Sequence, residues 1–363
     1  MVMMALSFTL ACGDSGGDDG PDDSDNFDRE AMLANWADNI IIPAYDHYLD
    51  QLRALQSSKE AFISEPTMDN LSTLRTDFRA AYMAWQQVSM FEIGPAETVT
   101  LRNFTNIYPT DVSEIEDHVS MGGANLELPS NNDSQGLPAI DYLLYGVGAD
   151  DAAILSKLSE TSYQNYLSVV VDRLHTLTDG VRTAWVTDVY RDEFVGASGS
   201  SATSSVNKMI NDFMFYYEKS LRAGKVGIPA GVFNGNPLSD RAEAPYAGDL
   251  SRELLQASFS SVMGFFRGDH FDNSGRGPSL GQYLDDVQAF KGSIFLSRAI
   301  SNQSALAQED IQKLRTDLKT QVEIDNAAML TAYDELQELV VLFKVDMFQA
   351  LNVQVDFVDA DGD

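Results

Sequence analysis

Apolar residues recur along this chain at intervals of three and four, the spacing that stacks side chains on one face of an α-helix. Ile41, Tyr45, Leu49 and Leu52 form one stripe, and Leu74, Phe78, Ala81, Trp85 and Val88 form the next. A third runs through Tyr163, Leu167, Val170, Leu174, Leu177 and Val181. Each stripe demands a covering helix. Between Asn103 and Gln135 the periodicity lapses around Pro109, Pro129 and the polar run SNNDSQG, which predicts short helices and loops rather than a sheet. The small polar run GASGSSATSS then reads as a link. Helical spacing returns over residues 206 to 221, at Leu254, Val262 and Phe266, over 280 to 287 and 311 to 318, and in a last long helix marked by Leu330, Tyr333, Leu336, Val340 and Phe343. Val353, Val355 and Phe357 alternate, which predicts a brief extended segment paired with a loop.

This pattern predicts an all-α fold of two linked four-helix-bundle-like domains with irregular connecting loops. The expected divisions are 28–196 for the first bundle, 197–205 for the linker and 206–363 for the second bundle. The tetrapeptide LRTD occurs at Leu74–Asp77 and Leu314–Asp317, read here as opening a helical segment in each half. Residues 223–248 hold three prolines and five glycines, an irregular loop of the length that builds sites.

Composition changes the picture at the N-terminus. MVMMALSFTLAC is apolar through Ala11 and ends on Cys12, the single cysteine of the chain. After it, GDSGGDDGPDDSDNFD holds seven aspartates and no basic residue. Such a tract buries too little apolar area to offset its ordering entropy, so 12–27 is expected to be a tether. The arrangement resembles a bacterial lipoprotein export signal, with residues 1–11 as the signal segment and Cys12 as the lipidated residue. A lone cysteine excludes an intrachain disulfide framework and a multi-cysteine metal site. No later segment reaches the roughly 18 uninterrupted apolar residues of a membrane span, so the expected membrane contact is through the lipid anchor only. Charge narrows the partners: 24 basic residues against 55 acidic ones leave −31. That field repels nucleic-acid backbones and anionic lipid faces and suits cations or a basic partner.

Chemistry concentrates in GLPAIDYLLYG, residues 136 to 146, where Asp141 is the one carboxylate of an apolar run. Pro138 is tolerated in a first helical turn. With a helix opening near Leu137, Asp141 is expected close to its N-terminus, where a negative charge gains about 0.3–1 kcal/mol. Two readings compete: a carboxylate lining a hollow between the bundles, or a helix-terminal acid satisfied by amides or water. In the irregular loop, Lys225 and Arg241 read either as receptors for an anionic group, such as a chelated metal, or as members of a structural ion pair with Glu243.

Several segments together resemble the imelysin family: DFRAAYMAWQQVSMFEIGP from Asp77, NFTNIYPTD from Asn103, GLPAIDYLLYG, GKVGIPAG from Gly224, EAPYAGDLSRELL from Glu243, and the closing DADGD. The resemblance implies a two-domain helical protein, lipid-anchored or periplasm-facing in the bacterial envelope, outer membrane being the expected site. It implies a link to iron acquisition in some members and to peptide cleavage in a few. The family motif glycine–any–histidine–any–any–glutamate falls here on Gly136, Pro138 and Asp141. Proline offers no lone pair, and a lone aspartate is a weak anchor for a first-row transition metal.

The four histidines, His47, His118, His175 and His270, form neither HExxH nor a pair three apart. His118, beside Glu114, Glu116 and Asp117, reads as part of a solvated acidic helix end, and Trp85 reads as a core anchor. Neither a GxSxG elbow nor a phosphate-binding GxxxxGK[ST] is present. The sequence therefore favours non-catalytic binding of a metal or metal-linked ligand, iron or another divalent cation, at the interface of the bundles, with Asp141 as the metal-ligand candidate. The alternatives are a metallopeptidase with a degenerate site, or a structural module docking an envelope protein.

Overall fold

The computed structural model describes residues 27–187 and 189–356. Cys12, Phe357 and the DADGD terminus lie outside them. The fold is all-α, with one two-stranded hairpin among the described residues. Asp28 accepts the Ala31 amide at 2.8 Å and opens the first helix. That helix passes through wide π-type turns at Trp36–Ile41 into Ile42–Ser64. The widening has a sequence cause. Pro43 has no amide to give the Asn39 carbonyl four residues back, and that carbonyl instead accepts the Phe271 amide at 2.8 Å.

Thr67 caps Met68–Val88 through the Asn70 amide, so a short break turns the chain into an antiparallel helix pair. Thr161–Thr187 packs on Ile42–Ser64, and the short helices Leu101–Thr105, Val112–Met121 and Gly136–Asp141 pack on Thr161–Thr187 in turn. The second half is built from Ser205–Phe215, which continues through π-type turns to Gly227, with Ser251–Arg267, Leu296–Lys313 and Asn326–Val340. One apolar core runs through both halves. Phe265 sits at the join, its ring 4.7 Å from Trp36, 5.7 Å from Phe91 and 5.9 Å from Phe213.

The helical stripes pack inward as their spacing predicts, Leu177 only in part, and the structure departs from the sequence pattern in five places. Leu330 is exposed, and Met329, Ala332 and Leu336 carry the buried face of the last long helix. Leu74–Asp77 lies inside Met68–Val88, whereas Leu314–Asp317 lies in the break before Leu318–Ile324, so the two LRTD copies are not structurally equivalent. His118 is buried, its Nδ1 3.4 Å from the Tyr166 hydroxyl, because Ile115, His118 and Val119 form the inward face of their helix. Past Val353 the extended segment pairs with a helix rather than a loop. The side-chain nitrogens of Asn207 and Asn211 donate to the Gln354 carbonyl, and the backbone amides of Gln354 and Asp356 donate to Asn207 Oδ1 and Asn211 Oδ1. The strands Phe290–Lys291 and Ile294–Phe295 have no counterpart in the sequence pattern.

A core shared by both halves predicts one cooperative transition. Urea unfolding followed by tryptophan emission, which reports Trp36, Trp85 and Trp185 of the first half, should coincide with unfolding followed by far-ultraviolet circular dichroism. Phe265→Ala should lower the stability by about 3–5 kcal/mol and keep the two curves superimposed. Separated midpoints would show that the halves unfold independently.

Candidate functional site

Gly136 opens its helix with φ +75°, and a Cβ there would stand 2.3 Å from the Thr105 carbonyl oxygen. Only glycine lets the 136–146 segment lie this close to Leu101–Thr105. Pro138 occupies the first turn, where its missing amide has no helical partner to lose. Asp141 is not near the helix start. It is the sixth residue, fully buried, just before the π-type turns of Tyr142–Gly146.

Its partners come from the far end of the chain. Tyr246 donates its amide to Oδ2 at 3.0 Å, and Ala247 donates to Oδ1 at 2.9 Å. Gly146 makes room for the Tyr246 ring, which would stand 2.3 Å from any Cβ. The acid is thus satisfied by amides, but those of a distant turn. Burial pushes its carboxyl up to about 7; the two amides oppose the shift, and the Glu243 charge adds to it.

That turn, Glu243 to Ala247, is fixed at its other end by a buried polar cluster. Glu243 forms an ion pair with Lys225, and both side chains are buried. Its Oε1 accepts from Asn106 at 2.8 Å and from Gln86 at 3.3 Å. Lys225 also donates to Gln86 Oε1 at 2.9 Å, as does the Ser258 hydroxyl at 2.7 Å. Tyr82 donates to Asn106 Oδ1 at 2.7 Å. Burial, followed by the Glu243 charge, holds the Tyr82 phenol well above its usual range, so it remains a donor.

On the solvent side of this cluster lies a cavity of about 200 Å³ between the two halves. Trp85, Arg102, Asn106 and Tyr108 line it from the first half; Tyr216, Lys225 and Arg241 line it from the second. Arg102 is bound to Asp212 at 3.0 Å and to the Ser89 carbonyl at 2.8 Å. Arg241 is half-exposed and stands 3.8 Å from Asp240. No carboxylate lines this cavity among the described residues. Asp141 lies outside the lining, behind Glu243 and its turn.

The structure therefore brings Lys225 and Glu243 together, sets Arg241 at the cavity mouth, and ties Asp141 to the others through backbone. Gln86, Asn106, Tyr108, Arg102 and Tyr216 were not singled out from sequence. Gln86 carried a signal, since Phe78, Tyr82 and Gln86 are four apart on one helix face and only the last is an amide. Trp85 is both core anchor and cavity wall. As donors for a bare metal ion the residues fit poorly: both Asp141 oxygens are taken by amides. Among the described residues no three His, Cys, Asp or Glu side chains converge in a metal-holding group.

Comparison with known proteins places this geometry in context. The sequence model of the family described as Imelysin (Peptidase M75) matches residues 41–343. Iron-regulated protein A of Synechococcus elongatus is 23% identical over 269 residues, 70% of each chain. The crystal structure of an imelysin-like protein from Psychrobacter arcticum superposes with a TM-score of 0.70 at 21% identity, covering 92% of this chain and 99% of the other. That of a putative iron-regulated protein A precursor from Parabacteroides distasonis gives 0.72 at 18% identity, covering 88% and 94%.

Two outcomes follow from the buried charges. Between the ordinary carboxyl value near 4 and about 7, folded Asp141 keeps a proton that the unfolded chain has lost. Its contribution to stability therefore falls as pH rises through that window, by at most about 1.4 kcal/mol per pH unit, and is level above it. Urea denaturation at pH 5, 6, 7 and 8 should show a shallower slope for Asp141→Asn than for the parent; equal slopes would remove Asp141 as the titrating group. Lys225→Met should cost about 3–5 kcal/mol by stranding Glu243, and adding Glu243→Gln should restore most of the loss. A double variant no more stable than Lys225→Met would contradict the pairing.

Proposed function

The chain belongs to the imelysin family, and we propose that it is a lipid-anchored envelope protein that holds a compact anionic chelate of iron between its helical halves without hydrolysing it. The observation that carries this reading is the cavity lining: three aromatic rings, Trp85, Tyr108 and Tyr216, with three cationic side chains, Arg102, Lys225 and Arg241. A bare cation would be repelled by that wall, whereas a carboxylate-bearing chelate meets both its flat apolar faces and its charges. The volume lies below the range of drug-sized pockets, which restricts the ligand to a few coordinating groups around one ion.

Lys225 and Arg102 already carry counter-charges, so they shape the cavity and bias its potential. Arg241 is held by a long, exposed ion pair, 3.8 Å from Asp240, and is the group able to turn onto a ligand. Asp141 in this reading holds the 243–247 turn in place rather than touching the ion. The iron assignment draws on the names of the relatives, and the anchor draws on the sequence around Cys12. Among the described residues no helix is long and apolar enough to cross a membrane.

Isothermal titration of the full chain with ferric citrate tests the proposal. Arg241→Ala should weaken binding about tenfold or more, the loss of one charge-assisted contact, with the melting temperature unchanged because the side chain is half-exposed. Unchanged ferric citrate affinity in that variant, or tighter binding of ferrous ion alone than of the chelate, would reject it.

A further inference from the structure

Strands Phe290–Lys291 and Ile294–Phe295 form a hairpin turned at Gly292, whose φ is +62°. The register pairs Phe290 with Phe295 and Lys291 with Ile294, so the two pairs occupy opposite faces. The lysine face turns toward the last long helix, with Nζ 2.5 Å from Asp346 Oδ2. The other face presents two phenylalanine rings stacked at 4.6 Å, 54% and 40% exposed. A stacked pair fixed on a hairpin differs from single apolar residues scattered over a surface.

The place of this hairpin narrows what covers it. Phe27, the first described residue, stacks on Tyr283 at 4.6 Å and 12°. Tyr283 lies on Leu280–Asp286, which runs directly into the hairpin: Ala289 donates its amide to the Leu284 carbonyl, and Leu296 closes the base by donating to Ala289. Phe27, where the described residues begin, therefore stands at the hairpin's end of the molecule. Fourteen residues separate Cys12 from Phe27, a reach of at most about 50 Å.

We propose that the Phe290/Phe295 face is a membrane-contact point, which rests its two rings in the lipid interface and sets the orientation of the body below its anchor. This rests on the reading of Cys12 as the anchored residue. An anchor alone fixes the end of a tether and leaves the body free to tumble. The chain as a whole carries −31, and what the hairpin exposes is a pair of aromatic rings, so the second contact is an apolar one. Two rings are also too small a surface for a stable protein interface, which needs upwards of about 1,000 Å².

The single cysteine makes the test independent of natural lipidation. The full chain is coupled through Cys12 to a maleimide lipid in phosphatidylcholine vesicles, with tryptophan placed by Phe295→Trp or, as a control, at exposed Val169 by Val169→Trp. The native tryptophans are all buried and so kept from contact with lipid bromines, and the quenching in excess of the parent chain's reports the added site. Phospholipids brominated on the acyl chains should quench the added emission at position 295 by at least half and leave that at 169 unquenched. Equal quenching at both positions, or none at 295, would overturn the proposal. So would a concentration-dependent dimer of the uncoupled chain that Phe290→Ser with Phe295→Ser abolishes. Mass spectrometry of Cys12 in the exported protein separately decides the anchor.

Discussion

Two carboxylates, Asp141 and Glu243, are buried where the halves meet, and among the described residues one ammonium, Lys225, is bonded directly to either. A buried ion carries a desolvation cost of several kcal/mol, so each acid needs its own compensation. Glu243 has a cation and two amide side chains. Asp141 has two backbone amides and a carboxyl value shifted toward neutrality. The solutions are not separate, because one five-residue turn supplies Glu243 at one end and the donating amides at the other. Ala244 inside it adopts φ +50°, which costs about 1–2 kcal/mol and persists because both ends are held. The cavity wall is the outer surface of this arrangement: Lys225 and Asn106 line the cavity and bond Glu243 at once.

Much of the fold was legible in the spacing of apolar residues, since burial of a helix face imposes the period that was read. The errors have local causes. Leu330 fits a stripe by count, yet the helix turns Met329 and Ala332 inward instead. His118 sat among acids, and its company concealed an i, i+3, i+4 set with Ile115 and Val119. The hairpin has two residues per strand, shorter than alternation needs to show.

The site was legible in parts. Asp141 stood out as a charge in an apolar run, and Lys225 with Glu243 as a candidate pair. What pattern could not give was the partner of Asp141: a backbone amide about a hundred residues on carries no residue signature. Arg102 with Asp212 was likewise hidden, since the pair is joined by packing rather than by any spacing. Pro138 stands where the resemblance implies a histidine; it offers no lone pair, yet it suits a first helical turn, so the helix that carries Asp141 forms with proline in that place.

The cavity lining carries cationic groups and, among the described residues, no carboxylate, whereas the chain as a whole is strongly acidic, and this contrast bears on the proposed ligand. At −31 the protein repels anions at long range, but salt screens that field over about 8–10 Å, while the guanidinium and ammonium groups act within contact distance. A strongly anionic ligand loses on approach what it gains on arrival. A ligand whose central cation cancels most of its carboxylate charge loses little on approach and still offers a carboxylate edge to Arg241. The same balance argues against a bare metal ion, which the global field would gather and the cavity wall would expel. In the proposed reading chelation resolves the conflict, because a chelated cation presents a carboxylate edge, rather than a bare charge, to the basic lining.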